Sequence, residues 1–282
     1  MDSDPQFASN VPIPFLEMRR IALPVLLCLV SAACGAADAT QPAPTATSTS
    51  IVVATTTTPP SATTSVATTT TEVEVLDVAS LPEGSSLVLG AREEVEVFDH
   101  PNASEVIRTL EPTTILGTTT VLMVVEGPTE DWARVLLPGR PNGAEGWVRT
   151  DDMVAFVVEG RVVIDLSDRT LSYLVGDTEI LATPVGVGSE THPTPTGRFF
   201  VTDSVAMADP TSPWGPHALG LSARSDTVTE YNGGDGIIGI HGTNNPGSIG
   251  RAMSLGCLRV ANDVITRLHE VVAIGTPVEI RA

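Results

Sequence analysis

Alternation of apolar and polar residues over short windows dominates the chain from about residue 94 onward, and this period of two predicts strands rather than helices. Residues 94–98, 119–125, 132–137 and 146–148 read as short strands, the last two separated by the turn Pro138-Gly139-Arg140-Pro141-Asn142-Gly143. Strands of this length with turns at this spacing imply a small barrel. Farther along, residues 161–166 and 170–175 predict a hairpin across Ser167-Asp168-Arg169. A second strand pair, 179–187 and 197–202, is joined by a loop rich in Pro, Gly and Thr, and 235–240 is an apolar strand running into His241. One segment carries the helical period. Over 262–272, Ile265, Leu268 and Val272 share a face, Asn262 stands where a cap belongs, and Gly275 with Pro277 stops the helix. His269 reads as a surface residue of that helix, and 277–280 as a closing strand. The class is therefore mainly β with one clear helix near the C-terminus.

The first 75 residues follow neither pattern. Met18-Arg19-Arg20 gives a charged start, and residues 21–33 are apolar and end in small side chains, which is the form of a secretory signal too short to span a bilayer. Residues 1–17 lack such a pattern, so translation is expected to begin at Met18. Ser31-Ala32-Ala33 before Cys34 resembles a bacterial lipobox, which implies acylation of Cys34 and a durable membrane anchor at about 0.8 kcal/mol per buried methylene. Ordinary cleavage near Ala39 with release is the competing expectation. Residues 40–75 are rich in Thr and Pro, with unbroken threonine runs at 55–58 and 68–71. Such a segment cannot bury a core and reads as a disordered linker, with a reach on the order of 100 Å if extended. The expected organisation is thus an N-terminal extension and signal over 1–39, a linker over 40–75, and two folded domains over 76–153 and 154–282.

Charge narrows the partners. The net charge is -19, and all 15 basic residues are arginine. Lysine-based Schiff-base or general-base chemistry is therefore excluded, and nucleic acid and anionic membrane surfaces are poor partners. Of three cysteines, Cys28 and Cys34 lie in the N-terminal run, so the folded part holds Cys257 alone and no intradomain disulfide can form. An exported thiol in a glycine-flanked loop, Ser254-Leu255-Gly256-Cys257-Leu258-Arg259, is at risk of oxidation unless it has a task. With His241 upstream, the pairing points to cysteine acyl transfer; the plain alternative is a small buried hydrophobe. His100, His192, His217, His241 and His269 show no paired metal spacing, so a zinc peptidase is disfavoured and neither metal nor cofactor is expected.

Two resemblances sharpen this reading. Trp132-Ala133-Arg134-Val135 followed by Gly146-Trp147-Val148 resembles the end of a bacterial SH3-like domain, with Trp132 and Trp147 either core aromatics or a platform for wall glycopeptide. Ile240-His241-Gly242-Thr243-Asn244-Asn245-Pro246-Gly247-Ser248-Ile249-Gly250-Arg251, Ser254 through Val260, and Thr194-Pro195-Thr196-Gly197-Arg198-Phe199 resemble the YkuD-like L,D-transpeptidases over roughly 155–282. That resemblance implies Cys257 as nucleophile, His241 as its base, the Gly242 carbonyl orienting the imidazole, and backbone N–H groups around Gly256 and Cys257 holding the oxyanion, with Ser254 bonding within the loop. Arg259 would hold a stem carboxylate or brace the loop, Asn262 would cap the helix or touch substrate, and Thr243 is a further substrate-side candidate. The reaction implied is release of D-Ala from a peptidoglycan tetrapeptide stem and a 3→3 cross-link to a second stem, at the cell wall outside the cytoplasm, with carbapenem-type β-lactams as covalent inhibitors. One departure is Leu255, where many members carry His. Two alternatives stay open: an L,D-carboxypeptidase using water, and a wall-binding module with a vestigial cysteine.

Overall fold

The computed structural model describes residues 81–282 apart from Glu83, Glu130, Asp152, Asn232 and Gly233; the signal-like segment, Cys34 and the linker lie outside the described residues. The chain first forms β1 (Ser85–Ala91), β2 (Val95–Phe98), β3 (Arg108–Leu110), β4 (Val121–Glu126), β5 (Trp132–Leu136), β6 (Glu145–Arg149) and β7 (Met153–Glu159). There follow β8 (Arg161–Asp165), β9 (Thr170–Val175), β10 (Thr178–Pro184), β11 (Val187–Gly188), β12 (Gly197–Ala206), β13 (His217–Arg224) and β14 (Ile237–His241). The last elements are β15 (Ala252–Ser254), β16 (Leu258–Arg259), α1 (Asn262–Val271) and β17 (Pro277–Arg281).

β1 to β7 make one seven-stranded sheet in the order β3-β2-β6-β5-β4-β1-β7. β7 pairs with β1 along its whole length, from Ser85 opposite Glu159 to Ala91 opposite Met153. Because successive strand side chains face opposite ways, β1 serves two cores at once. Leu87 and Leu89 join Val97, Leu122, Val135 and Val148, whereas Val88 turns to Met123, Leu136, Val158 and Phe200. Phe200 belongs to β12, so this second cluster is the contact between the N-terminal sheet and the one that follows. Trp132 is 5% exposed and meets Phe98 edge to face at 5.3 Å, which makes it a core aromatic rather than a platform. Trp147 is half-buried.

The second sheet has eight strands in the order β10-β9-β8-β17-β12-β13-β14-β16, with β11 and β15 as a separate parallel pair. Its core gathers Phe199, Leu219, Leu221, Ile238, Ile240 and Leu258, and α1 closes it with Ile265 and Leu268. The hairpin of β8 and β9 forms as expected. The second expected pair does not: β10 pairs with β9, while β12 lies between β17 and β13. The closing strand takes the ladder of Gly197 to Phe200, which leaves β10 at the edge. β13 escaped the pattern because the residues between its inward Leu219, Leu221 and Ala223 are the small and equally buried Ala218, Gly220 and Ser222, giving no apolar-polar contrast. At the start of α1, Ala261 holds the cap position in an extended conformation, with no side-chain cap. Among the described residues no helix is long and apolar enough to cross a membrane.

Phe200 is fully buried, so Phe200→Ala is expected to lower the unfolding free energy by about 3–5 kcal/mol in a urea titration. A loss under about 1 kcal/mol would show that the two sheets pack without this anchor.

Candidate active site

β14 and β16 run parallel, with Ile240 opposite Leu258 and His241 opposite Arg259. Carried back one residue, that register sets Cys257 beside Gly239, whose backbone N–H is directed at the sulfur. Alternation then puts Cys257, Arg259 and His241 on one face of the sheet. The residues between the strands cross over through a 3-10 turn, Pro246–Ser248, which Ser248 Oγ steadies by donating to Asn245 O at 2.7 Å.

His241 is 4% exposed, and its Nδ1 lies 2.6 Å from Gly242 O. A carbonyl can only accept, so Nδ1 carries the proton and Nε2 is left as the basic nitrogen. Burial lowers the His241 pKa to about 4 against the raising effect of the Gly242 bond, and the Arg259 charge lowers it further. At neutral pH the imidazole is therefore uncharged and able to take a proton. Burial raises the Cys257 pKa above the ordinary thiol value, opposed by the Gly239 N–H and by Arg259, both of which favour the thiolate. Sγ also lies 3.9 Å from Ile237 O. Thiol and imidazole thus rest as a neutral pair. Both line a cleft of about 90 Å³, with Trp214, Tyr231, Leu255 and Arg259 among its other walls. The Trp214 and His241 ring centroids are 4.5 Å apart.

The loop that presents the sulfur is tied from below. Ser254 Oγ donates to Cys257 O at 2.6 Å and accepts the Gly256 N–H at 3.1 Å. Thr194 Oγ1 donates to Gly256 O at 2.8 Å and accepts the Gly188 N–H at 2.9 Å. Gly256 sits at φ +115°, and a Cβ there would stand 2.9 Å from Ile238 Cδ1, so only glycine fits. Its N–H, occupied by Ser254, is not free to meet an oxyanion.

The candidate residues thus fall into two groups. Cys257, His241, Ser254 and Arg259 line the cleft, together with Leu255, which is 47% exposed. Arg259 Nε is buried with no hydrogen-bond partner among the described residues. Thr243 and Asn262 are absent from the cleft walls: Asn262 Oδ1 accepts the Thr243 N–H at 2.8 Å, and Thr243 Oγ1 accepts the Asn245 N–H at 3.0 Å. They brace the crossover, and Asn262 does not cap the helix, because its side chain reaches back to that loop. His269, expected on the surface, stacks on His217 at 4.0 Å between centroids and bonds Ser204 Oγ through Nδ1 at 2.7 Å. Sequence reasoning missed Thr194, Trp214 and Tyr231 as parts of the site; Trp214, framed by Pro213, Gly215 and Pro216, was the one with a visible signal.

Residues 159–280 match the YkuD family, the L,D-transpeptidase catalytic domain. The chain is 32% identical over 146 residues, 52% of its own length and 73% of the relative's, to a Bacillus licheniformis protein designated L,D-transpeptidase YkuD. The chain belongs to the YkuD family of L,D-transpeptidases. Its Bacillus subtilis relative of the same designation is 29% identical over the same shares of the two chains. An L,D-transpeptidase structure from Mycobacterium smegmatis aligns at 18% identity and a TM-score of 0.36, covering 67% of this chain and 99% of that one.

In this YkuD-family chain, burial keeps the sulfur protonated. Alkylation of Cys257 by iodoacetamide is therefore expected to stay slow at neutral pH and to rise only above pH 9.0, the ordinary value from which burial raises the thiol. A fast plateau at about pH 6 would instead reveal a preformed thiolate-imidazolium pair.

Proposed function

We propose that the protein is a peptidoglycan L,D-transpeptidase working by general-base activation of Cys257. The observation that carries this reading is the cleft shared by a thiol and a neutral imidazole whose Nδ1–H is tied to Gly242 O, leaving Nε2 to face the chemistry. In the first half-reaction Nε2 takes the Sγ proton as sulfur attacks the carbonyl of the L,D bond in a tetrapeptide stem. The C–N bond then breaks, the same proton passes to the departing D-Ala amine, and a thioester remains. In the second, the side-chain amine of another stem attacks the thioester, His241 accepts its proton, and the sulfur leaves and is reprotonated, completing a 3→3 cross-link.

With the Gly256 N–H occupied, oxyanion stabilisation falls to the Cys257 N–H, a contribution of about 3 kcal/mol per donor. Arg259, whose buried Nε has no hydrogen-bond partner among the described residues, holds a stem carboxylate. Leu255 keeps the rim of the cleft apolar where many relatives place an imidazole. A carbapenem, whose strained lactam carbonyl offers the same electrophile, acylates Cys257. On the same reading residues 76–153 are an SH3-like module, and Cys34 carries the lipid that anchors the enzyme at the cell wall through the 40–75 linker. The L,D-carboxypeptidase differs only in using water as the second acceptor.

Incubation with purified disaccharide-tetrapeptide is expected to yield D-Ala and a cross-linked dimer; tripeptide without dimer would establish the hydrolase. Cys257→Ala should abolish both the dimer and the mass increase on carbapenem treatment, and an unmodified wild-type protein would favour the non-catalytic wall-binding module. The acid limb of kcat/KM is expected to titrate near the His241 value of about 4, activity falling as pH drops through it and the base becomes protonated. A limb near 6.5, the ordinary histidine value, would mean that the base is solvated rather than buried.

A further inference from the structure

One wall of the catalytic cleft is held by a side chain from the other sheet. The segment from Ser225 to Gly236 leaves β13 and returns as β14, and it supplies Ser225, Val228, Tyr231 and Gly236 to the cleft. Its base is closed by Ser225 N–H donating to Gly236 O at 2.8 Å, and its tip by reciprocal 2.9 Å bonds between Tyr231 and Gly234. Between base and tip, no strand ladder among the described residues supports it. Instead the Arg140 guanidinium, on the turn between β5 and β6, donates to Asp235 O at 2.7 Å, Ser225 O at 2.5 Å and Val228 O at 3.3 Å. Three carbonyls from both limbs of the segment thus converge on one planar cation. Two residues on, Asn142 pairs with the Arg224 backbone as another strand would, its Nδ2 donating to Arg224 O at 2.7 Å and its Oδ1 accepting the Arg224 N–H at 2.8 Å. Arg224 Nε then reaches Asp235 Oδ1 at 2.7 Å, tying the far limb to the same clamp.

We propose that Arg140, assisted by Asn142, is a positioning residue for substrate: the N-terminal sheet completes the cleft by fixing the 225–236 wall against which the stem lies. The inference rests on the L,D-transpeptidase reading. Five donors in a fixed plane suit Arg140 to this task, because one preorganised planar group can satisfy carbonyls from two limbs together. Without the guanidinium the converging carbonyls must find water, and the wall loses the geometry that productive binding needs. The sulfur, imidazole and Gly242 bond lie on β14, β16 and their crossover, so the chemical centre itself is not built on the clamp.

The test compares wild type, Arg140→Ala and Arg140→Lys, each checked for a wild-type circular dichroism spectrum. Readouts are steady-state kinetics on disaccharide-tetrapeptide, Cys257 alkylation by iodoacetamide at one pH, and hydrogen exchange over residues 225–236. For Arg140→Ala the expected result is a rise in KM of about tenfold or more with a much smaller change in kcat, faster exchange confined to 225–236, and an alkylation rate close to wild type. Arg140→Lys, able to satisfy only part of the carbonyl set, should recover part of the KM. Unchanged KM with the wild-type enzyme active would overturn the inference alone, as would equal loss of kcat and alkylation, which would mark a general structural role. Wild type that releases no D-Ala would sink the reaction reading, and this inference with it.

Discussion

Two short strands running side by side in the same direction set everything else at the site. Because β14 ends at His241 and β16 begins just after Cys257, their parallel register brings two residues sixteen apart in sequence onto one face, offset diagonally across the ladder with Arg259 opposite His241. A parallel pair cannot be closed by a tight turn; it needs a crossover of a dozen or more residues. That crossover is the segment whose Ser248, Thr243 and Ser254 bonds were described above, and its rigidity determines where the sulfur stands. Gly239 and Gly256 have complementary parts in this: one directs its backbone N–H at the sulfur, and the other allows the chain to turn under it.

The main-chain partner of the imidazole has a further effect. Where a carboxylate would add negative charge and raise the basicity of the ring, Gly242 O supplies only a dipole, too weak to offset desolvation. The base is therefore weak but fully available at neutral pH, and its orientation depends on backbone geometry rather than on a titrating third residue. Thr243, anchored by Asn262, follows directly after that carbonyl, so the crossover and the start of α1 jointly fix the peptide plane that aims the ring.

Much of this was legible in the chain, and the rest was hidden for identifiable reasons. Period-two alternation exposes β8 and β9, and the three-to-four-residue spacing of Ile265, Leu268 and Val272 exposes α1, because each of those elements has one wetter face and one dry, whereas β14 shows as an unbroken apolar run that ends in a histidine. β13, buried on both faces and built partly of small residues, carries no such contrast. The Cys257–His241 pair stands out because a lone thiol and a strand-end imidazole are chemically conspicuous. Its supports do not: whether the Gly256 N–H meets an oxyanion or the Ser254 hydroxyl depends on the turn of three residues, which composition cannot reveal. Strand neighbours were hardest to read, since β12 finds its partner β17 at the far end of the sequence, and Arg140 meets Asp235 with 95 residues between them.

A sulfur held as neutral thiol also has a consequence for oxidation. Peroxides and disulfides react with the thiolate, so keeping the proton on Cys257 slows the drift toward sulfenic acid and mixed disulfides. A folded part with one thiol and no neighbouring cysteine to rescue it keeps that thiol intact for longer through the same burial that makes it sluggish at rest.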